Sequence, residues 1–203
     1  MVAPTPPVRK APQQERSRLM VEKILTAGRE VLLRDGYDAA STNKVAKQAG
    51  ISPGSLYQYF ADKDAVVDAV VAKYADELSD RVAASLTDQL GGPDDSLIHA
   101  TLHALLDALE ENEAFLRVFV DELPRTRNHE RLAGVEQRVS DLMAAYLAAR
   151  RGDVRDVPPS RAAWIVVRAI EQLTVRYVLD RPPMSRDELV AEVDAMVTAY
   201  LQS

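Results

Sequence analysis

The chain has 203 residues, 47% of them apolar and 28% charged, with a formal net charge of −6. That composition suits a globular protein large enough to bury a core, and it excludes wholesale disorder. With no cysteine, disulfides, thiolate metal sites and cysteine nucleophiles are excluded, and a reducing compartment, the cytoplasm, is expected.

The longest stretch without Asp, Glu, Lys or Arg is Gln48–Ala61, 14 residues rich in polar groups. A membrane-crossing helix needs about 20 mainly apolar residues, so none is expected. Arg9 and Lys10 have no apolar block behind them, so no secretory signal is expected either. Charge is unevenly placed. Residues 1–63 hold 10 Lys or Arg against 6 Asp or Glu, while residues 64–203 hold 15 against 25. A basic head on an acidic body points to a polyanion meeting the head, although a short basic segment is equally often a solvated surface.

The pattern along the chain is helical throughout. Met1–Pro12 contains four prolines and no apolar period, so residues 1–12 read as a flexible arm. Met20, Ile24, Ala27 and Val31 recur at helical spacing, with Gly36 as a stop. Ser41 or Thr42 can cap a second helix that turns Val45, Ala46 and Ala49 inward and ends at Gly50. Ser52-Pro53 opens a short third helix, with a hydroxyl cap followed by proline at the first helical position, and it ends near Phe60. Asp62 can cap a fourth, carrying Val67, Val70, Tyr74 and Leu78 on one face to about Leu90, where Gly91-Gly92-Pro93 breaks it.

Further stripes follow. Ile98, Leu102, Leu105, Leu106 and Leu109 form one; Phe115, Leu116, Phe119, Val120 and Leu123 form another, stopped by Pro124. A third runs from Leu132 to Leu147, with Arg150 and Arg151 favourable to the helix dipole and Gly152 beyond. Pro158-Pro159-Ser160 opens a helix to about Leu179, and Pro182-Pro183 separates it from a last helix where Ser185 and Glu188 fit a capping box. The alternation of half-buried strands and repeats of fixed period are both missing.

Ser41–Lys63 carries the most information. Two short helices joined by a tight glycine-containing turn make a helix-turn-helix. Ala46 lets the helices approach, Gly50 supplies the positive φ, and Ile51 and Leu56 anchor the second helix. That helix offers neutral hydrogen-bonding groups (Ser52, Ser55, Tyr57 and Gln58), the kind that read base edges, while Thr42, Lys44, Lys47 and Lys63 flank them as phosphate contacts would.

The run from Ser41 to Asp64 resembles the DNA-binding domain of the TetR family of bacterial transcriptional regulators. Ala49-Gly50-Ile51-Ser52, Leu56-Tyr57-Gln58-Tyr59-Phe60 and the Lys63-Asp64 pair are its most specific parts. The helix ending in Asp35-Gly36-Tyr37 is similar too, so the motif-level likeness covers about residues 14–70. Val66 stands where the family usually has leucine. The resemblance implies an all-α fold: an N-terminal three-helix helix-turn-helix domain over 13–65, then a larger helical ligand-binding and dimerisation domain over 66–203. It implies that Thr42 and Lys44 open the helix that crosses the DNA backbone. Pro53, Gly54, Ser55, Tyr57 and Gln58 would face the groove, Tyr59 and Lys63 would hold phosphates, and Phe60 would lock the recognition helix to the core. It further implies a homodimer on a palindromic double-stranded operator, with recognition helices about 34–36 Å apart, released by a small molecule. Arg9, Lys10, Arg16 and Arg18 could extend the grip into a groove.

The expected partners are thus operator DNA, a second copy of the chain and an effector of unspecified chemistry, with no cofactor and no membrane. In the last two helices Val167, Ile170, Val178, Leu189, Val193, Met196 and Tyr200 belong to apolar surfaces wider than one stripe, which calls for a second subunit as well as the chain's own core. Tyr74, His103, Phe115, Phe119, Met143, Tyr146 and Trp164 could line an effector pocket or be packed core. His99 and His103 stand four apart, a zinc-compatible spacing without a third ligand. No nucleophile elbow and no phosphate-cradling glycine loop occurs, so no catalytic set is argued. Two other readings stay open: a helical protein-interaction module, and a small-molecule carrier or enzyme with an incidental helix-turn-helix.

Overall fold

The computed structural model describes residues 11–89, 97–123, 125–149 and 155–202. Residues 1–10 of the expected arm, with Arg9 and Lys10, lie outside the described residues, as do the expected stops at 91–93, Pro124 and 150–152, whereas Ala11 and Pro12, expected in the arm, open the first helix. No strand occurs among the described residues. The helices in order are α1 (Ala11–Ala39), α2 (Thr42–Gln48), α3 (Pro53–Tyr57), α4 (Lys63–Gln89), α5 (Leu97–Glu110), α6 (Glu113–Arg117), α7 (Arg125–Ala149), α8 (Pro159–Asp180) and α9 (Arg186–Gln202). No described helix is long and apolar enough to cross a membrane. The chain divides into two compact units, one ending at Val70 and the other beginning at Val71, so the boundary falls inside α4.

Local chemistry accounts for most helix ends. The Ser41 hydroxyl accepts from the Lys44 amide at 3.3 Å and starts α2. Ser52 accepts from the Ser55 amide at 3.1 Å, with Pro53 opening α3. An Asp62 oxygen accepts from the Ala65 amide at 2.8 Å at the head of α4. Ser185 and Glu188 complete a reciprocal box ahead of α9: the Ser185 amide donates to Glu188 at 2.7 Å and the Glu188 amide to the Ser185 hydroxyl at 3.3 Å. These amides are the orphans a helix start leaves, so each cap contributes about 1 kcal/mol. Bonds from the Ser185 amide, and then from its hydroxyl at 2.8 Å, hold the Glu188 carboxyl below its usual range.

The first unit is built on the inward face of α1. Ile24, Ala27, Val31 and Leu32 are buried with Val45 and Ala46 of α2, Leu56 of α3 and Val66, Val67 and Val70 of α4. Gly36, at φ 75° and ψ 172°, breaks the helical geometry of α1 near its end. Arg34, Asp35 and Lys44 form an ion cluster there: the Asp35 carboxylate lies 2.8 Å from the Arg34 Nε and 2.9 Å from the Lys44 Nζ. Gln48 ties α2 to α1 by donating to Glu30 at 2.6 Å and accepting from Arg34 at 3.1 Å.

In the second unit α5, α7, α8 and α9 share one apolar cluster that includes Leu102, Leu106, Leu109, Met143, Ala163, Val166 and Val190. α7 packs along α8, and α5 touches both α8 and α9. The stripe from Phe115 to Leu123, read as one helix, is α6 followed by a turn of π-helix over Val118–Glu122. Apolar spacing does not separate an α from a π turn, which differ by one residue in hydrogen-bond register. α8 ends on Arg181 in the left-handed conformation, φ 47°. Its guanidinium lies 2.6 Å from Glu113, which also pairs with Arg117 at 3.1 Å; both lower the Glu113 pKa, Arg181 the more.

Two measurements test this account. A Cβ on Gly28 would lie 3.0 Å from Val66 Cγ1 and 3.1 Å from Val70 Cγ2. Gly28→Leu overpacks the α1–α4 contact and should destabilise the first unit by about 1–3 kcal/mol, seen as a lower urea midpoint; an unchanged midpoint refutes the packing. Hydrogen bonds from Arg34 first and Lys44 second lower the Asp35 pKa from 3.8 to about 2. A depressed carboxylate stabilises above its unfolded pKa and loses that contribution as pH falls through the folded value. The Asp35 carboxyl carbon should therefore titrate near pH 2 by NMR, and titration near 3.8 would exclude the cluster in solution.

Candidate nucleic-acid interface

α2 and α3 are joined at Gly50, which holds φ 60°. Its amide donates to the Lys47 carbonyl at 3.1 Å and the next amide, of Ile51, to the Ala46 carbonyl at 3.0 Å. A residue with a Cβ adopts that φ at a cost, so glycine suits the turn. Ala46 is fully buried where the helices approach, and Leu56, also fully buried, anchors α3. Ile51 is half-buried.

The anchoring leaves the opposite side of α3 in solvent. Pro53, Gly54, Gln58 and the rings of Tyr57 and Tyr59 are exposed, Tyr57 at 53% and Tyr59 at 37%, and Ser55 is half-buried. Phe60, at 9% exposure, closes the core behind them. The Tyr57 hydroxyl lies 3.0 Å from Thr42 Oγ1, linking the tip of α3 to the start of α2. The Ser55 and Ser52 hydroxyls are 2.9 Å apart. Thr42 thus lies beside α3, which carries Pro53, Gly54, Ser55 and Tyr57 with Gln58 at its C-cap, and Tyr59 follows directly in the chain, also exposed.

The cations around it differ in their freedom. Lys44 Nζ is held by Asp35 and donates to the Ala39 carbonyl at 2.9 Å. Lys63 Nζ donates to the Tyr37 carbonyl at 3.0 Å and sits 4.2 Å from the centre of the Tyr37 ring. Lys47 is exposed, with no ion pair among the described residues. Tyr37, which entered only as the end of the Asp35-Gly36-Tyr37 likeness, orders this edge: its hydroxyl donates to Asp64 at 2.8 Å. The one signal available in sequence was its place directly after Asp35-Gly36.

The second unit contains a cavity of about 120 Å³ lined by Leu78, Ser79 and Val82 of α4, Thr101, Leu105 and Leu109 of α5, Val139 and Met143 of α7, and Val167, Ile170, Glu171, Thr174 and Val175 of α8. Of the seven residues expected in a pocket, Met143 lines it. Trp164 is corrected outright: it is 60% exposed on the outside of α8. Phe115 and Phe119 are buried core, and Tyr74 meets Phe115 edge-on at 4.9 Å. Tyr74 also borders a separate cleft beside Glu77, Asp80, Arg81 and Asn112. Tyr146 is half-buried against the core cluster, and His103 pairs with His99, Nε2 to Nε2, at 3.2 Å. No group of three His, Cys, Asp or Glu suited to a metal occurs among the described residues.

The residues expected between subunits divide as well. Ile170, Val178, Leu189 and Val193 are buried within the single chain, and Val167 lines the cavity. Tyr200 is half-buried under the Arg155 guanidinium at 4.8 Å, while Met196 is 43% exposed. Periodicity marks apolar positions but does not say whether the chain or a partner covers them. The apolar side chains left in solvent on α8 are Trp164, Ile165 and Leu173.

Comparison with known proteins agrees with this geometry. The family model described as bacterial regulatory proteins, tetR family, matches residues 24–70, and the one described as tetracyclin repressor-like, C-terminal domain, matches residues 93–201. The HTH-type transcriptional regulator AlkX of Mycobacterium tuberculosis is 26% identical over 200 residues, covering 97% of this chain and 92% of the relative. The fatty acid metabolism regulator protein of Bacillus subtilis is 22% identical over 191 residues, covering 94% and 87%. Among solved structures, FadR from Bacillus subtilis in complex with stearoyl-CoA superimposes with a TM-score of 0.70 at 14% identity, over 89% of this chain and 98% of that one. With a helix-turn-helix unit and a helical second unit each matched by its own domain model, the chain belongs to the TetR family of bacterial transcriptional regulators.

Proposed function

We propose that this regulator binds a palindromic operator as a homodimer, through α3 in the major groove, and leaves it when a small molecule occupies the cavity of the second unit. The observation that carries the reading is α3 itself: a capped, core-anchored helix whose outer side presents Tyr57 and Gln58 without a charge among them. Neutral donors and acceptors read base edges, and the hydroxyls and lysines around them suit phosphates. Thr42, Tyr59, Lys44 and Lys63 are assigned to the backbone in this scheme, and the exposed Lys47 joins them. Pro53, Gly54 and Ser55 set how closely α3 approaches the groove. Trp164, Ile165, Leu173 and Met196 are the surface a second copy would cover. The protein acts by binding rather than by catalysis, in the compartment that holds the DNA, the cytoplasm. The stearoyl-CoA in the FadR complex supports reading the cavity as an effector site, with α4 carrying the response.

Selection of bound duplexes from a random pool tests the whole reading, since it reports preference, palindromy and half-site spacing together. Two variants sharpen it. Gln58→Ala should weaken operator binding by about 1–3 kcal/mol and relax preference at a single position of each half-site. Lys47→Ala should weaken all duplexes alike and reduce the log–log salt slope by about 0.9 per subunit. A pool that enriches nothing removes the operator, and a Gln58 variant with unchanged affinity and unchanged preference at every position removes α3 as the reader.

A further inference from the structure

The cavity also constrains the chemistry of its occupant, and the following rests on the effector-site reading above. We infer that it takes a small, uncharged, largely hydrocarbon molecule with one hydrogen-bonding group, held by the Thr101 hydroxyl. Three observations converge. The walls are hydrocarbon from four helices, with Leu105, Leu109, Met143 and Ile170 among them. The volume of about 120 Å³ is close to that of apolar cavities of about 150 Å³ that accept benzene, so about six to eight non-hydrogen atoms of the occupant fit within its walls in this conformation.

The third observation is Thr101 itself. A helical threonine commonly returns its hydroxyl to the carbonyl one turn back. Thr26 does so at 3.0 Å and Thr174 at 2.8 Å. Thr101 is 7% exposed, lines the cavity, and its Oγ1 is buried without a hydrogen-bond partner among the described residues. Leaving a buried hydroxyl unpaired is unfavourable, and an occupant carrying a hydroxyl or carbonyl removes that penalty because a threonine hydroxyl both donates and accepts.

Charge selects further. Glu171 is the one charged group among the described lining residues, and the Arg168 Nη1 lies 3.0 Å from it. An anionic head would meet this carboxylate instead of a cation and lose its own hydration. A cationic head would find Glu171 already paired. A neutral head faces neither obstacle.

The test uses the full-length protein with labelled methionine methyl groups and no DNA, so its outcome is independent of operator selection. Titration with 1-hexanol should shift the Met143 methyl resonance saturably, and hexanoate at equal concentration should not. Thr101→Val keeps the shape and removes the hydroxyl. It should weaken 1-hexanol about 5- to 10-fold, as loss of one hydrogen bond predicts, while toluene binds within about twofold of its affinity for the unmodified protein, which also shows that the variant keeps its cavity. Hexanoate binding as tightly as 1-hexanol, no response to 1-hexanol, or unchanged 1-hexanol affinity in Thr101→Val would each overturn the assignment.

Discussion

A helix of five residues does not persist in water, because nucleation is unfavourable and too few hydrogen bonds follow to offset it. α3 is that short, so its exposed surface exists through what surrounds it. Ser52 caps it, Pro53 presets its first turn, Gly50 delivers the chain at the required angle, and Leu56 is wholly buried against the unit. The exposed residues contribute little to this support, with the Tyr57–Thr42 bond the main exception. Support and exposure are therefore divided between opposite sides of one small helix. The side toward the core must stay constant for the fold, while Gln58 and Gly54 can change with limited effect on it.

The second unit follows a different rule. Its helices share a core dense enough to take in most of their apolar positions, yet they leave a cavity with a buried hydroxyl and a glutamate in its wall. Interiors usually close such gaps, since each lost contact forfeits dispersion energy. A cavity combining hydrocarbon walls with an unpaired polar atom is costly when empty and less so when filled, and that difference is the free energy by which a ligand can favour one conformation over another.

How far the sequence revealed all this depends on the range of each interaction. The caps at Ser41, Ser52, Asp62 and Ser185 were readable because a side chain and an amide three residues away decide them. Gly50 was readable because its turn admits few other residues. The surface of α3 was readable because the motif around Leu56 fixes which side faces inward. Tyr37 was not, since its role depends on Lys63 and Asp64, 26 and 27 residues further on. The cavity was not, because its wall is assembled from four helices and most of it consists of aliphatic residues that look like any core. Aromatic residues drew the expectation instead, and Trp164 shows the weakness of that preference: its size marks it as important, not as inward-facing.

One detail near the reading surface carries a consequence for energetics on DNA. The Lys44 ammonium is already held by Asp35, which itself also binds Arg34. A lysine of this kind brings its own internal counter-ion to the duplex, so placing it beside a phosphate neutralises less of the polyanion than a bare cation would. For the DNA binding proposed above, the ionic-strength dependence is then shallower than the number of nearby lysines implies, and protonating Asp35 would remove that counter-ion while the Ala39 carbonyl still holds the ammonium in place.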